Sequence, residues 1–202
     1  MEPVTLTTDR LLLDPFLPED ADAVYASCQD PEIQRWTTIP SPYGRQDAEY
    51  FLHRMVPDGW RRDTEYTFAL RLREGGRPIG ALSLHDPRAG GWEIGFWTDK
   101  EHRGRGHLTE AALAVARWAF TELGCPRLEW RAEVGNVPSR AVAEKIGFRV
   151  EGVLRAGLVN KGTLRDCWIG ALLPSDLGLP SVLPYLPARE GADRGPAVSA
   201  GA

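Results

Sequence analysis

Cysteine is scarce in this chain: the three there are, Cys28, Cys125 and Cys167, stand far apart and never in a CxxC pair. That spacing excludes a readable disulfide framework or zinc cluster. The four histidines, His53, His85, His102 and His107, show no ligand spacing either, so no metal is expected. No apolar run approaches the roughly 18 residues needed to cross a bilayer, so no membrane partner is expected. Met1-Glu2-Pro3 opens no signal peptide, and a cytoplasmic protein is the expectation. An excess of one charge is also lacking. With 24 basic and 28 acidic residues the net charge is -4, which offers nucleic acid no general attraction.

What is present suits a globular protein: 202 residues, 43% hydrophobic and 26% charged, enough for one domain with a sizeable core. That domain is read over residues 1–184. Residues 185–202, ending in the small, polar, Gly- and Pro-containing stretch AREGADRGPAVSAGA, are read as a disordered tail.

Periodicity sets the order of elements. Arg10 to Phe16 reads as a first strand, and Pro18-Glu19-Asp20 opens a helix that runs to about Gln29, before Asp30-Pro31. A short helical piece (Glu32 to Trp36), a loop (Thr37 to Gly44) and a helix from Gln46 to Val56 follow. Strands are expected at Thr64 to Leu72, Pro78 to His85 and Trp92 to Thr98. From Thr109 to Leu123 the pattern turns helical, with Leu108, Ala112, Val115, Ala119 and Leu123 on one face and Glu110, Arg117 and Thr121 on the other. Arg127 to Val134 is strand-like, Ser139 to Ile146 helical, and Phe148 to Leu158 and Leu164 to Leu172 are closing strands. The sum is an α/β (α+β) fold with a mixed sheet and helices on both faces.

The sharpest local feature is Arg103-Gly104-Arg105-Gly106-His107-Leu108-Thr109, where a strand has ended and the long helix begins. Glycines let the backbone approach a ligand, and a helix start presents unpaired N–H groups with positive partial charge. Thr109 can cap the helix or meet a phosphate oxygen, while Arg103 and Arg105 add charge. A Walker A loop is excluded for want of Gly-Lys-Ser/Thr. A dinucleotide fingerprint started from Gly104 has Thr109 in place of its third glycine. Taken alone, the stretch fits an arginine-rich helix start as well as an anion site.

Its flanks resemble the GNAT acetyltransferases. Arg103 and Gly106 match that family's pyrophosphate turn, Arg/Gln-x-x-Gly-x-Gly/Ala, with Leu108 at the last, usually small, position. Glu93-Ile94-Gly95-Phe96-Trp97, Asn136-Val137-Pro138-Ser139 and Glu144-Lys145-Ile146-Gly147-Phe148 follow the family's order. Thr8 to Leu13, Phe148 to Arg155 and Arg165-Asp166 resemble the branch that acetylates the N-termini of ribosomal proteins. The resemblance covers about residues 5 to 177.

It implies a GNAT fold with a central sheet of about seven strands, in which Trp92 to Thr98 and Arg127 to Val134 are adjacent, parallel and splayed apart. Acetyl-CoA is the implied co-substrate. Its pantetheine arm would pair with Phe96, Trp97 and Thr98, and its pyrophosphate with the turn from Arg103 through Gly104, Arg105, Gly106, His107 and Leu108 to Thr109. Glu93 is the implied proton acceptor for a primary amine. Ser139 is the implied donor to the departing thiolate, because Ala143 stands where many members carry tyrosine; as a structural residue, Ser139 would open a helix. Asn136 would anchor the turn and a water or CoA group, or simply form an Asx turn. The acceptor cleft would lie between Arg35–Gly44 and Gly157–Gly162. These loops hold no cluster of acids, which points to a protein N-terminus or a neutral small amine. A non-catalytic CoA-binding module and a nicotinamide-dependent redox enzyme are the rival classes. A homodimer is a family-level expectation.

Overall fold

A computed structural model describes residues 1–88 and 91–188. Most of the expected tail, residues 189–202, lies outside that range. Among the described residues the order is β1 (Leu6–Thr7), β2 (Leu11–Asp14), α1 (Ala21–Ser27), α2 (Pro31–Trp36), α3 (Arg45–Tyr50), α4 (Val56–Arg62), β3 (Glu65–Leu72), β4 (Gly80–Arg88), β5 (Gly91–Thr98), α5 (His107–Thr121), β6 (Leu128–Glu133), α6 (Val137–Ile146), β7 (Arg149–Asn160) and β8 (Thr163–Leu172). No helix among these residues is long and apolar enough to cross a membrane.

The strands form one sheet in the order β1-β2-β3-β4-β5-β6-β8-β7, and the two-residue β1 is the strand beyond the expected seven. All neighbours run antiparallel except β5 and β6. Side chains alternate across a sheet, so the registers divide it into two faces. One carries Leu11, Leu13, Phe68, Leu82, Leu84, Ile94, Leu128 and Trp130, all buried in the core. The other carries Arg71, Ser83, His85, Glu93, Glu129, Arg131 and Glu133.

Helix α5 packs on the apolar face. Ala112, Val115 and Ala119 are buried as the periodicity requires, and so are Ala111, Ala116, Trp118 and Phe120. The buried arc is wider than a simple amphipathic stripe because small alanines let the helix sit close to its neighbours. Trp118 meets Tyr66 and Phe68 edge-on at 5.5 Å, and Trp60 joins the same aromatic cluster. Offset and edge-on rings of this kind add to the stabilisation from area burial.

Two boundaries differ most from the sequence reading. The helix expected to stop at Val56 continues through a π-helical turn, Phe51–Met55, into α4, which ends at Arg62 with Asp63 left-handed. The wider turn places Pro57 in the first turn of a new helical segment, where its missing N–H costs nothing. The strand expected to end at His85 continues as β4 to Arg88, with an irregularity between His85 and Arg88 and a positive φ at Asp86.

Candidate active site

Strands β5 and β6 pair over only two positions, Trp92 with Leu128 and Glu93 with Glu129. From Ile94 onward they part, while β5 keeps its partner β4 as far as Thr98. One edge of Ile94–Thr98 is therefore open to a ligand that can pair with a backbone. Phe96, Trp97 and Thr98, the expected pantetheine residues, lie on this edge. The Thr98 hydroxyl is buried without a hydrogen-bond partner among the described residues.

The turn after β5 follows directly. Gly104 and Gly106 have φ of +73° and +78°, a conformation that glycine adopts without strain. Gly106 is the N-cap of α5, and the first intrahelical bond runs from Glu110 N–H to the Gly106 carbonyl at 3.1 Å. The N–H groups of His107, Leu108 and Thr109 precede that bond and find no acceptor among the described residues. Thr109 is thus inside the first turn and is not the cap. The Leu108 side chain packs against the core.

The two arginines of the motif do different work. Arg103 donates from Nε to the Thr98 carbonyl (3.1 Å) and pairs with Asp30, so it ties the turn to the end of β5 and to α2. Arg105 is exposed, and its carbonyl accepts from Arg10 Nη1 at 2.9 Å. Arg10 and Thr8 also grip Glu110, at 2.6 Å each. Burial opposes the charge of Glu110, but these partners outweigh it and hold its carboxyl below the usual range. This clamp joins residues about a hundred positions apart, and no local signal in the sequence reports it. Burial, aided by the positive charges of Arg10 and Arg105, pushes the His107 imidazole down, so the ring stays neutral at the turn.

Glu93 stands at the crotch of the fork, on the polar face. Its carboxylate lies 3.7 Å from His85 Nε2 and 3.6 Å from Arg131 Nε. Ser139 is the third residue of α6, on the other face. Asn136 caps that helix, its Oδ1 accepting from Ser139 N–H at 3.3 Å, which is the Asx-turn reading. The indole N–H of Trp130 donates to Ser139 Oγ at 3.0 Å, so the serine's own proton is directed elsewhere. A carboxylate and a hydroxyl thus flank the sheet on opposite sides at the one place where it is split. Glu93 lines a cavity of about 740 Å³ together with Trp92, Arg127, Glu129, Glu151 and Tyr185.

The two loops expected to frame an acceptor cleft do meet. Asn160 Nδ2 donates to the Arg35 carbonyl (3.0 Å), and Lys161 Nζ to the carbonyls of Thr37 (3.0 Å) and Ile39 (3.1 Å). Burial and the nearby Arg35 push the lysine's pKa down. A second tie leaves no local signal in the chain: Arg35 grips buried Glu133 with two bonds, at 2.8 and 2.6 Å, which fastens α2 to the polar face. The guanidinium beside it, against the opposing cost of burial, holds the Glu133 carboxyl below its ordinary value.

A depressed carboxylate stabilises the fold above its unfolded pKa and loses that contribution as the pH falls through its folded one. We expect Glu133→Gln to lower stability at pH 7 by roughly 1.5–3 kcal/mol, the range for a charged hydrogen bond. The deficit should shrink below the ordinary glutamate range near pH 4.5. Urea unfolding at pH 7 and at pH 3.5 measures both.

All three cysteine thiols are buried and held above their ordinary pKa by that burial, Cys28 at about 12. None offers the thiolate that an acyl-cysteine route requires. Among the described residues no His, Cys, Asp and Glu side chains are grouped to hold a metal.

A family model described as an acetyltransferase (GNAT) domain matches residues 10–149. The chain is 30% identical over 171 residues to "Uncharacterized N-acetyltransferase p20" of Bacillus licheniformis, covering 84% of this chain and 96% of that protein. It is 32% identical over 79 residues to the ribosomal-protein-serine acetyltransferase of Escherichia coli, covering 38% of this chain and 44% of that protein. Among solved structures, Mycobacterium smegmatis RimJ in complex with CoA-disulfide superposes with a TM-score of 0.78 at 23% identity, over 88% of this chain and 92% of that one.

Proposed function

The chain belongs to the GNAT acetyltransferase family, and from that premise we propose that it moves an acetyl group from acetyl-CoA directly to a primary amine, foremost the α-amine of a protein N-terminus. The observation that carries this reading is the fork, where two paired positions give way to an open strand edge beside a helix start with unpaired N–H groups.

Each residue then has a task set by its position. The N–H groups of Gly106 to Thr109 hold the diphosphate, because aligned amides and the helix dipole favour negative charge there. Phe96 to Thr98 pair with the amides of the pantetheine arm. The acceptor amine arrives on the polar face, between the loops tied together by Lys161 and Asn160. Glu93 removes its proton, directly or through water, so that nitrogen has a lone pair with which to attack the thioester carbonyl. The carbon–sulfur bond then breaks. Ser139, on the far side of the split, donates a hydrogen bond to the departing thiolate, which takes up the second proton shed by the new amide nitrogen, and Asn136 acts through Ser139 by capping its helix.

The protein α-amine is preferred for two reasons. One relative is named for acetylating ribosomal protein. The other is that an α-amine, with a pKa of about 8, is the easiest primary amine for a carboxylate to deprotonate near neutral pH. The deciding measurement is CoA thiol release from acetyl-CoA with peptides that begin with serine or alanine, set beside lysine side-chain and small-amine acceptors. Turnover confined to the small amines removes the protein N-terminus. Binding of acetyl-CoA with no turnover on any amine, unaltered by Glu93→Gln, leaves only a binding module. With the best acceptor, Ser139→Ala should lower kcat about tenfold, at the small end of acid–base effects because water can replace a hydroxyl donor.

A further inference from the structure

Behind Glu93 lies a line of polar groups for which the reaction described so far has no use. Ser83 Oγ is 3.2 Å from His85 Nδ1, and His85 Nε2 is 3.7 Å from Glu93 Oε1. Ser83 and His85 are on β4, two residues apart and so on one face. Gly95, between Glu93 and Trp97 on β5, makes room for the ring: a Cβ there would come within 2.7 Å of His85 Cε1. The His85 side chain is 34% exposed and that of Glu93 only 18%, so the line runs from the sheltered carboxylate towards solvent.

We propose that His85 is the proton relay of this enzyme, taking from Glu93 the proton that Glu93 removes from the amine and passing it to water. The proposal rests on the reading of Glu93 as the proton acceptor. The need for a relay is chemical. A carboxylate that has taken a proton from an amine must lose it before the next turnover, and this one is largely screened from water. Histidine changes charge between about pH 5 and 8, which makes it the natural carrier.

The proton balance is simple. In the neutral ring Nδ1–H donates to Ser83 Oγ, and the Nε2 lone pair faces Glu93. The carboxylic acid gives its proton to Nε2, across a bridging water or after a small side-chain adjustment, since 3.7 Å exceeds a direct hydrogen bond. The imidazolium then donates from both nitrogens and is discharged by solvent. The charged or titratable groups facing His85 are Glu65, its register partner on β3, and Glu93, its register partner on β5; Arg131 on β6 faces it across Glu93.

His85→Gln and Glu93→Gln are to be compared with the parent enzyme from pH 6 to pH 9.5, using acetyl-CoA and a peptide with a free N-terminal serine or alanine. We expect His85→Gln to lower kcat roughly tenfold at pH 7 with KM unchanged. The gap should close at high pH, where the amine sheds its proton unaided. Added imidazole should restore rate to His85→Ala and leave the parent unchanged. A His85→Gln profile that overlays the parent while Glu93→Gln is impaired overturns the relay and leaves Glu93 standing. If Glu93→Gln matches the parent, both fall. A measurement independent of turnover is the tautomer, read from two-bond nitrogen–proton correlations of the His85 ring. A neutral ring protonated at Nε2 overturns the proposal, because that nitrogen could not then accept.

Discussion

Replacing Glu93 by glutamine should lower kcat/KM for an amine acceptor by on the order of 100-fold at pH 7, while acetyl-CoA binds within about twofold of its parent affinity. The two halves of this expectation come from different ends of β5. Glutamine has nearly the same shape and can still meet His85 and Arg131, so packing at the crotch of the fork is kept. What it cannot do is take a proton. At pH 7 only about a tenth of an α-amine with a pKa near 8 is neutral, so reliance on that fraction costs the variant about tenfold, and the loss of the negative charge that draws and orients the amine costs it the rest. Its residual rate should therefore climb with pH until the amine has titrated, narrowing the gap to the parent. The turn proposed to hold the diphosphate lies beyond the other end of the strand, at Gly106 to Thr109, and is untouched. A Glu93→Gln enzyme within threefold of the parent at pH 7 would show that some other group deprotonates the amine.

Much of this site is legible in the sequence because its parts are local. Gly104, Gly106 and the start of α5 are neighbours in the chain, and a turn that needs positive φ before a helix leaves a mark in composition. Asn136 and Ser139 are three residues apart, the spacing of a side-chain cap. The fork follows from a rule of a different kind: β5 and β6 are joined by a helix, and such a connection makes parallel strands. How soon they part is a property of two chains in space. Here it shows only in the register, which stops after Glu93 and Glu129.

The residues that eluded sequence reading all act across long separations. Arg10 and Thr8 clamp Glu110, Arg35 clamps Glu133, and Lys161 spans back to Thr37 and Ile39. Arg103 looked like a phosphate ligand because it sits in the turn, but its guanidinium is committed to Thr98 and Asp30. A positive charge near a phosphate site has two uses, binding the ligand or fastening the loop, and only the partner tells them apart. The pairing of Ser83 with His85, and of His85 with Glu93, is hidden differently. Two residues of a strand pattern carry no sign of which strand lies beside them.

The largest expected loss of stability comes from Arg71→Met. Arg71 is buried on β3 and spends its guanidinium on three partners at once. Nε donates to both oxygens of Asp14 (2.9 and 3.2 Å), Nη1 to Asp20 (3.0 Å) and the Gly76 carbonyl (3.0 Å), and Nη2 to Asp20 (2.6 Å). Methionine fills similar space but leaves two carboxylates away from water with no counter-charge. Removing one partner of such a network typically costs about 3–5 kcal/mol.

The pH dependence has a definite sign. Burial already raises the Asp14 carboxyl above its ordinary value, against the pull of Arg71. Without the arginine the charged form is penalised further. The deficit should grow as the pH rises through the carboxylate range and shrink in acid, where a proton replaces the missing cation. Urea unfolding of Arg71→Met should show the full loss at pH 7 and a clearly smaller one at pH 4. A deficit below about 1 kcal/mol at pH 7 would mean that water reaches the aspartates.

The consequence reaches the site through a short path. Asp20 also accepts from Leu17 N–H (2.7 Å) and so sets the entry to α1, and Ser27 near the end of α1 holds Asp99 (2.9 Å), the residue after β5. Arg71 thereby bears on the strand end from which the turn proposed to hold the diphosphate springs. A variant that still folds at low temperature should bind acetyl-CoA more weakly than the parent, although no atom of residue 71 belongs to that turn.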